Sequence, residues 1–154
     1  MKTVPLLALL MTLAAAPHAL GQKSVYVNPG IKVGYTFGGS GGFTFGLELS
    51  VTQYQSRGLI LGGVIDYDYT PASGMHKTHL GAEGSVWGLG VDVGPTWVSR
   101  KGVSGLGATF TPFVGLVAYP YYSFTVAEGM ENIHEAGAYL KPAIHVYGSS
   151  GIFD

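Results

Sequence analysis

Lys32, Glu48, Asp66, Asp92 and Lys141 are the charged residues whose spacing could gather opposite charges within a β structure. A hairpin centred on Ser40 sets Lys32 across from Glu48, and a hairpin looped at Ser56-Arg57-Gly58 sets Glu48 beside Asp66. Asp92 and Lys141 have the parity to extend the group. A charge-assisted cluster in a narrow polar interior is expected to act as a plug that fills the space and fixes strand register. The alternative is a polar path for ions or a protonatable site.

Other candidates are weaker. Asp66 and Asp68 project from one face about 6.6 Å apart by strand rise, a spacing that suits a cation or an acid and base pair. Without converging third and fourth ligands no metal is assigned. His76 and His79 fall on opposite faces of a strand, and His134 and His145 stand alone. Ser73, His76 and Glu83 are the nearby polar set that a lipid-modifying enzyme could use, yet nothing orders them into nucleophile, base and orienter. No catalytic residue and no cofactor are expected.

Strands must position these groups. Phe43, Phe45, Leu47, Leu49 and Val51 alternate with Thr44, Gly46, Glu48, Ser50 and Thr52. A strand sends successive side chains to opposite faces, so this segment has one apolar and one polar side. Val27, Ile31, Val33, Tyr35 and Phe37 oppose Asn28, Lys32, Gly34 and Thr36 in the same way. The 25 glycines penalise long helices. Eight strands are expected near 25–37, 43–54, 59–70, 76–83, 86–98, 106–118, 121–127 and 134–147. Outer loops fall at 38–42, 71–75, 99–105 and 128–133, and inner turns at 55–58, 83–85 and 118–120. The fourth strand is broken by glycine and is kept because single-chain bacterial barrels have even strand numbers. The sixth places Phe113 and Val117 opposite Phe110, Val114 and Leu116, which makes its interior side partly apolar.

Lys2, the apolar run from Val4 to Ala16 and the small-residue site Ala19-Leu20-Gly21 read as a secretory signal peptide over 1–21. Residues 22–154 then form one exported domain starting at Gln22. The apolar run is shorter than the ~20 residues of a spanning helix. Without Lys2, seven basic side chains face nine acidic ones, so there is no basic field for nucleic acid. Charged residues make up 11% of the chain, against about 25% in soluble domains. A water-facing surface would be short of charge.

An alternating antiparallel sheet can bury its apolar face in a periplasmic sandwich or binding barrel, or turn that face to lipid around a polar lumen. Strands of ten to thirteen residues exceed the ~5–6 of soluble sheets and match the ~9–11 that cross a bilayer at a tilt. Trp87 and Trp97 share parity, and the strand rise separates them by roughly 25 Å along the membrane normal, the height between two aromatic girdles. Phe37, Phe43 and Tyr69 are expected beside Trp97 at the outer belt, with Tyr119 and Tyr121 near the inner one. Gly34, Gly46, Gly62, Gly88, Gly90 and Gly94 on the polar face suit a narrow lumen. Closure removes free strand edges and satisfies the backbone in lipid.

With strands such as Gly34-Tyr35-Thr36-Phe37-Gly38 and Gly42-Phe43-Thr44-Phe45-Gly46, the segment 22–147 resembles the small outer-membrane barrels of Gram-negative bacteria, of the OmpX and OmpA transmembrane-domain type. Such barrels typically end on an aromatic residue, whereas here Phe153 is penultimate. The expected fold is an all-β, eight-stranded antiparallel up-and-down transmembrane β-barrel in the bacterial outer membrane. The expected role is structural or surface-interacting and non-catalytic, with a narrow pore or a lipid-modifying enzyme as alternatives. Expected partners are lipopolysaccharide and phospholipid around Trp97 and Tyr69, with barrel-insertion machinery and periplasmic chaperones during biogenesis. The expected state is a monomer.

Overall fold

A computed structural model describes residues 24–38, 41–55 and 58–147. The signal peptide expected over 1–21, the start at Gln22, the tips of the first two turns and the tail containing Phe153 lie outside the described residues.

Alternation along the chain produces eight long strands and one short one: β1 (Val25–Phe37), β2 (Gly42–Tyr54), β3 (Leu59–Thr70), β4 (Met75–Val86), β5 (Leu89–Arg100), β6 (Val103–Val114), β7 (Ala118–Ala127), β8 (Ile133–Leu140) and β9 (Ile144–Tyr147). From β1 to β8 sequence neighbours pair antiparallel, and β1 pairs with both β2 and β8, which closes the sheet into a cylinder, with β9 also on β1. The glycine-broken fourth strand runs its full 12 residues. The end bearing the β1–β2, β3–β4, β5–β6 and β7–β8 turns is termed upper, and the other end lower.

The pleat faces opposite to that of a water-soluble sheet. On β2, Phe43, Phe45 and Leu47 are 64%, 52% and 64% exposed on the outside, whereas Thr44 and Ser50 between and beside them are fully buried inside. The same inversion runs along β1, where Asn28, Lys32 and Thr36 are buried and Ile31, Val33 and Tyr35 are exposed. Moving such side chains from water to hydrocarbon is worth about 1.5–3 kcal/mol each, so the outer row of β2 alone rivals the about 5–15 kcal/mol net stability of an ordinary domain.

Several boundaries differ from the sequence expectation, for identifiable reasons. Trp87-Gly88 and Lys101-Gly102 both take positive φ, 54° and 80° in the first pair and 49° and 84° in the second. These are two-residue hairpin turns of the type I′ sense, whose twist matches the flanking strands. They replace the turn expected at 83–85 and the loop expected over 99–105, so Trp87 sits in a turn and does not share a strand with Trp97. Gly88 likewise leaves the lumen row. The β6–β7 connection falls at 115–117 rather than 118–120, because Gly115 adopts φ 151° and Tyr119 and Pro120 already belong to β7.

The eighth strand, expected to be continuous over 134–147, is interrupted at 141–143. Ile31 pairs with Leu140 and Val27 with Ile144, a single register that sets Pro29 opposite Pro142. Neither proline has an N–H to donate, so the ladder stops there and resumes as β9. Proline opens two further gaps. The β4–β5 ladder jumps from His79↔Thr96 to Ala82↔Val93 around Pro95, and the β6–β7 ladder jumps from Phe110↔Phe124 to Phe113↔Tyr121 around Pro112.

Two apolar layers complete the interior. Met75, Val98, Ala127 and Ile133 pack together near the upper mouth with Met130 against them. Phe113, Tyr121 and Tyr139 pack lower down with Tyr119. Phe113 thus makes the interior side of β6 partly apolar, while Val117 lies exposed in the turn.

Candidate functional site

Around those layers the lumen is ionic, and the lower aromatic layer contacts Lys32 through Tyr121 and Lys141 through Tyr139. Six of the nine acidic side chains of the sequence, Glu48, Asp66, Asp68, Glu83, Asp92 and Glu135, are buried together with Lys32, Lys77, Lys141 and His79. In an eight-membered ring β4 stands diametrically opposite β8, and the clusters below connect these walls.

The first cluster centres on two lysines. Lys32 Nζ lies 3.1 Å from Asp66 Oδ2, 2.8 Å from Asp68 Oδ2 and 3.9 Å from Glu135 Oε1. Lys77 Nζ lies 3.0 Å from both Asp68 Oδ2 and Glu135 Oε2. Asp68 meets the two ammonium groups at ion-pair distance without hydrogen-bond alignment, and its Oδ1 has no hydrogen-bond partner among the described residues. Tyr121 donates its hydroxyl to Glu135 Oε1 in a short contact. Gly46 leaves the room that Asp68 fills, since a Cβ there would overlap the Asp68 carboxylate.

The second cluster lies toward the lower mouth. Lys141 Nζ is 2.6 Å from Glu48 Oε1 and 2.5 Å from Glu83 Oε2. It also faces the rings of Tyr139, Tyr119 and Phe113 at 5.2, 5.7 and 5.8 Å from their centroids. A third group runs around the wall. His79 Nε2 lies 2.9 Å from Asp92 Oδ2, and His79 Nδ1 shares a 2.8 Å hydrogen bond with Thr96. Thr96 continues to Thr109 at 2.6 Å, and Thr109 to Thr125 at 2.7 Å. Most of these buried groups are thereby linked to one another, as a low-dielectric interior requires, with Asp68 held by ion pairs alone.

The five sequence-derived lumen residues are all inside, but in different partnerships from those expected. Lys32 is not across from Glu48. Thr36 pairs with Gly42, which centres the first turn one residue earlier than Ser40 and sets Lys32 against Gly46 and Glu48 against Gly30. Glu48 does stand beside Asp66 in the β2–β3 register. Lys141 takes Glu48 and Glu83, whereas Asp92 takes His79 and, among the described residues, meets no lysine at ion-pair distance. Lys77 and Glu135 escaped sequence reasoning altogether. Lys77 shares the parity of His79 and Glu83 on β4, and Glu135 that of Tyr139 and Lys141, so extending the alternation to those strands would have found them.

Of the expected girdle, Phe37, Phe43, Tyr69 and Trp97 face outward in the upper half, and Trp87 is 81% exposed at the lower turn. Tyr119 and Tyr121 do not join them. Tyr121 is buried in the lumen, and Tyr119 stacks on Tyr139 at 5.3 Å and donates to the Leu116 carbonyl. Tyr121 shares the inward row of Ser123 and Thr125 on β7, and the early β6–β7 turn brings Tyr119 onto the same row.

The candidate enzyme set is not assembled. Ser73 donates to the Thr70 carbonyl in a turn, Glu83 lies in the lumen, and His76 is on the outer wall, bonded to Tyr67 and stacked on Tyr69. His79 faces inward, so His76 and His79 occupy opposite faces. His134 and His145 are not alone: His134 bonds Tyr122, and His145 contacts the Tyr26 ring. Among the described residues no group of three or more His, Asp or Glu is arranged to hold a metal.

A closed ring of eight antiparallel strands with a hydrocarbon-compatible exterior and an ionic lumen defines the small transmembrane β-barrel class. Within that class, the crystal structure of Neisserial surface protein A (NspA) matches with a TM-score of 0.50 at 12% sequence identity, over 76% of this chain and 95% of that one. At this identity the likeness is one of fold. No family model matches the sequence, and no curated protein does.

Proposed function

We propose that the chain is an integral barrel of a bacterial outer membrane, exported by residues 1–21, whose lumen is plugged and whose role is structural or surface-interacting rather than catalytic. The Lys77–Glu135 pair carries this reading, because it joins diametrically opposite walls with both side chains buried. Eight strands leave an interior that side chains fill, and the ionic clusters and the upper apolar layer occupy it at successive heights. The connections at 71–74, 101–102 and 128–132 are short and would be presented outside the cell. Lipopolysaccharide and phospholipid are the proposed neighbours of Trp97 and Tyr69, and insertion machinery and periplasmic chaperones the partners in biogenesis.

Planar-bilayer recording on the refolded protein tests the plug. The reading requires a silent bilayer. Resolved current steps that change with Glu48→Gln would favour a pore.

A further inference from the structure

We infer that the lower mouth of the lumen is a binding site for a small primary ammonium ion, which the chain fills with its own Lys141. Glu48 and Glu83, from different walls, converge on a single nitrogen at 2.6 and 2.5 Å, and three rings, Tyr139, Tyr119 and Phe113, turn toward the same nitrogen at 5.2 to 5.8 Å. Two carboxylates around one ammonium leave a local excess of one negative charge, and aromatic faces favour a cation while shedding water. The rings brace one another, with Tyr119 stacked on Tyr139 and Phe113 edge-on to it at 5.9 Å. The cage is therefore held by β2, β4, β6, β7 and β8 rather than by the lysine that occupies it.

The occupant arrives on a stretch of backbone between β8 and β9 that lies outside the ladders. Residues 141–143 lie where Pro29 faces Pro142 and the β1 ladder is missing. Lys141 is tied there by its N–H to the Val117 carbonyl at 3.2 Å. Its ammonium can leave the cage without unzipping a strand pair. The ligand class follows from the occupant: the lysine side chain is an n-butylammonium group. A free alkylammonium must compete with a tethered one, whose effective concentration is high.

The test removes the tether. Lys141→Ala, folded in detergent, is titrated with n-butylammonium chloride against sodium chloride at equal ionic strength, and the urea midpoint is read. The expected result is a lowered midpoint that n-butylammonium restores saturably and sodium does not, with the wild-type protein responding alike to both salts. A response no larger than that of sodium overturns the inference. Should Lys141→Ala fail to fold in sodium chloride, refolded yield becomes the reading. Recovery with n-butylammonium supports the site, and no recovery overturns it. Adding Glu48→Gln to Lys141→Ala should abolish the selective response; a response that persists places the ammonium elsewhere and also overturns it.

Discussion

Lys77 Nζ on β4 lies 3.0 Å from Glu135 Oε2 on β8, so one buried ion pair spans the full width of the cylinder. Removing one partner of such a pair strands a charge, at a cost of about 3–5 kcal/mol. Lys77→Met, which leaves three carboxylates around Lys32 alone, should lower unfolding stability by that order in detergent or lipid, and Glu135→Gln, which leaves Lys77 paired with Asp68, by less. Their double variant should fall well short of the sum, because the second change removes the stranded partner. Additive losses in urea titrations would show that the pair does not act as a unit.

Two glycines of β4, Gly81 facing the lumen and Gly84 facing outward beside Leu61, separate the cost of a methyl group from that of its surroundings. At Gly81 a Cβ would overlap Asp92 Oδ1 and His79 Nε2, whereas at Gly84 the nearest atom is a Leu61 methyl at 3.3 Å. Gly81→Ala should destabilise by about 1–3 kcal/mol through overpacking, and Gly84→Ala should change stability little. Equal midpoints for the two variants would contradict the His79–Asp92 placement.

Thr109 stands between Thr96 and Thr125 in a buried hydroxyl chain. Thr109→Val keeps its shape and leaves both neighbours without that partner, for which about 1–3 kcal/mol is expected. Thr78→Val, on a half-buried outward position of β4, should be near neutral. The unfolding midpoints of the two variants provide the comparison.

The proline-faced gap predicts uneven protection along the closing wall. The amide of Ala143, between β8 and β9 and outside the β1 ladder, should exchange with solvent deuterons faster than those of Val33 and Tyr35, which lie within continuous ladders on both sides. Protection at Ala143 equal to that at Val33 and Tyr35 would mean that the seam is intact.

Parity along β1, β2 and β3 was legible because Phe, Leu and Val alternate there with Thr, Ser and charged residues. It was enough to place Lys32, Glu48 and Asp66 on one face. Partnerships were harder to read. The run from Gly38 to Gly42 offers no side-chain cue to the centre of its turn, and a one-residue shift moved Lys32 two positions away from Glu48. Turns such as Trp87-Gly88 were hidden because an apolar residue occupies a positive-φ position. Contacts across the lumen, such as Lys77 with Glu135, depend on closure, which local pattern does not encode. The Pro29 and Pro142 pair likewise emerges only once the register is known.

The central claim is that the odd-numbered face of β2 meets hydrocarbon while the lysines and carboxylates lie within. The sequence contains no cysteine, so single spin labels at Phe45, Leu47, Leu49, Leu80 and Val93 in reconstituted vesicles test it directly by collision with oxygen and with a water-soluble nickel chelate. All five should be accessible to oxygen and shielded from nickel. Labels at these sites that are shielded from both reagents, or that collide chiefly with nickel, would contradict it.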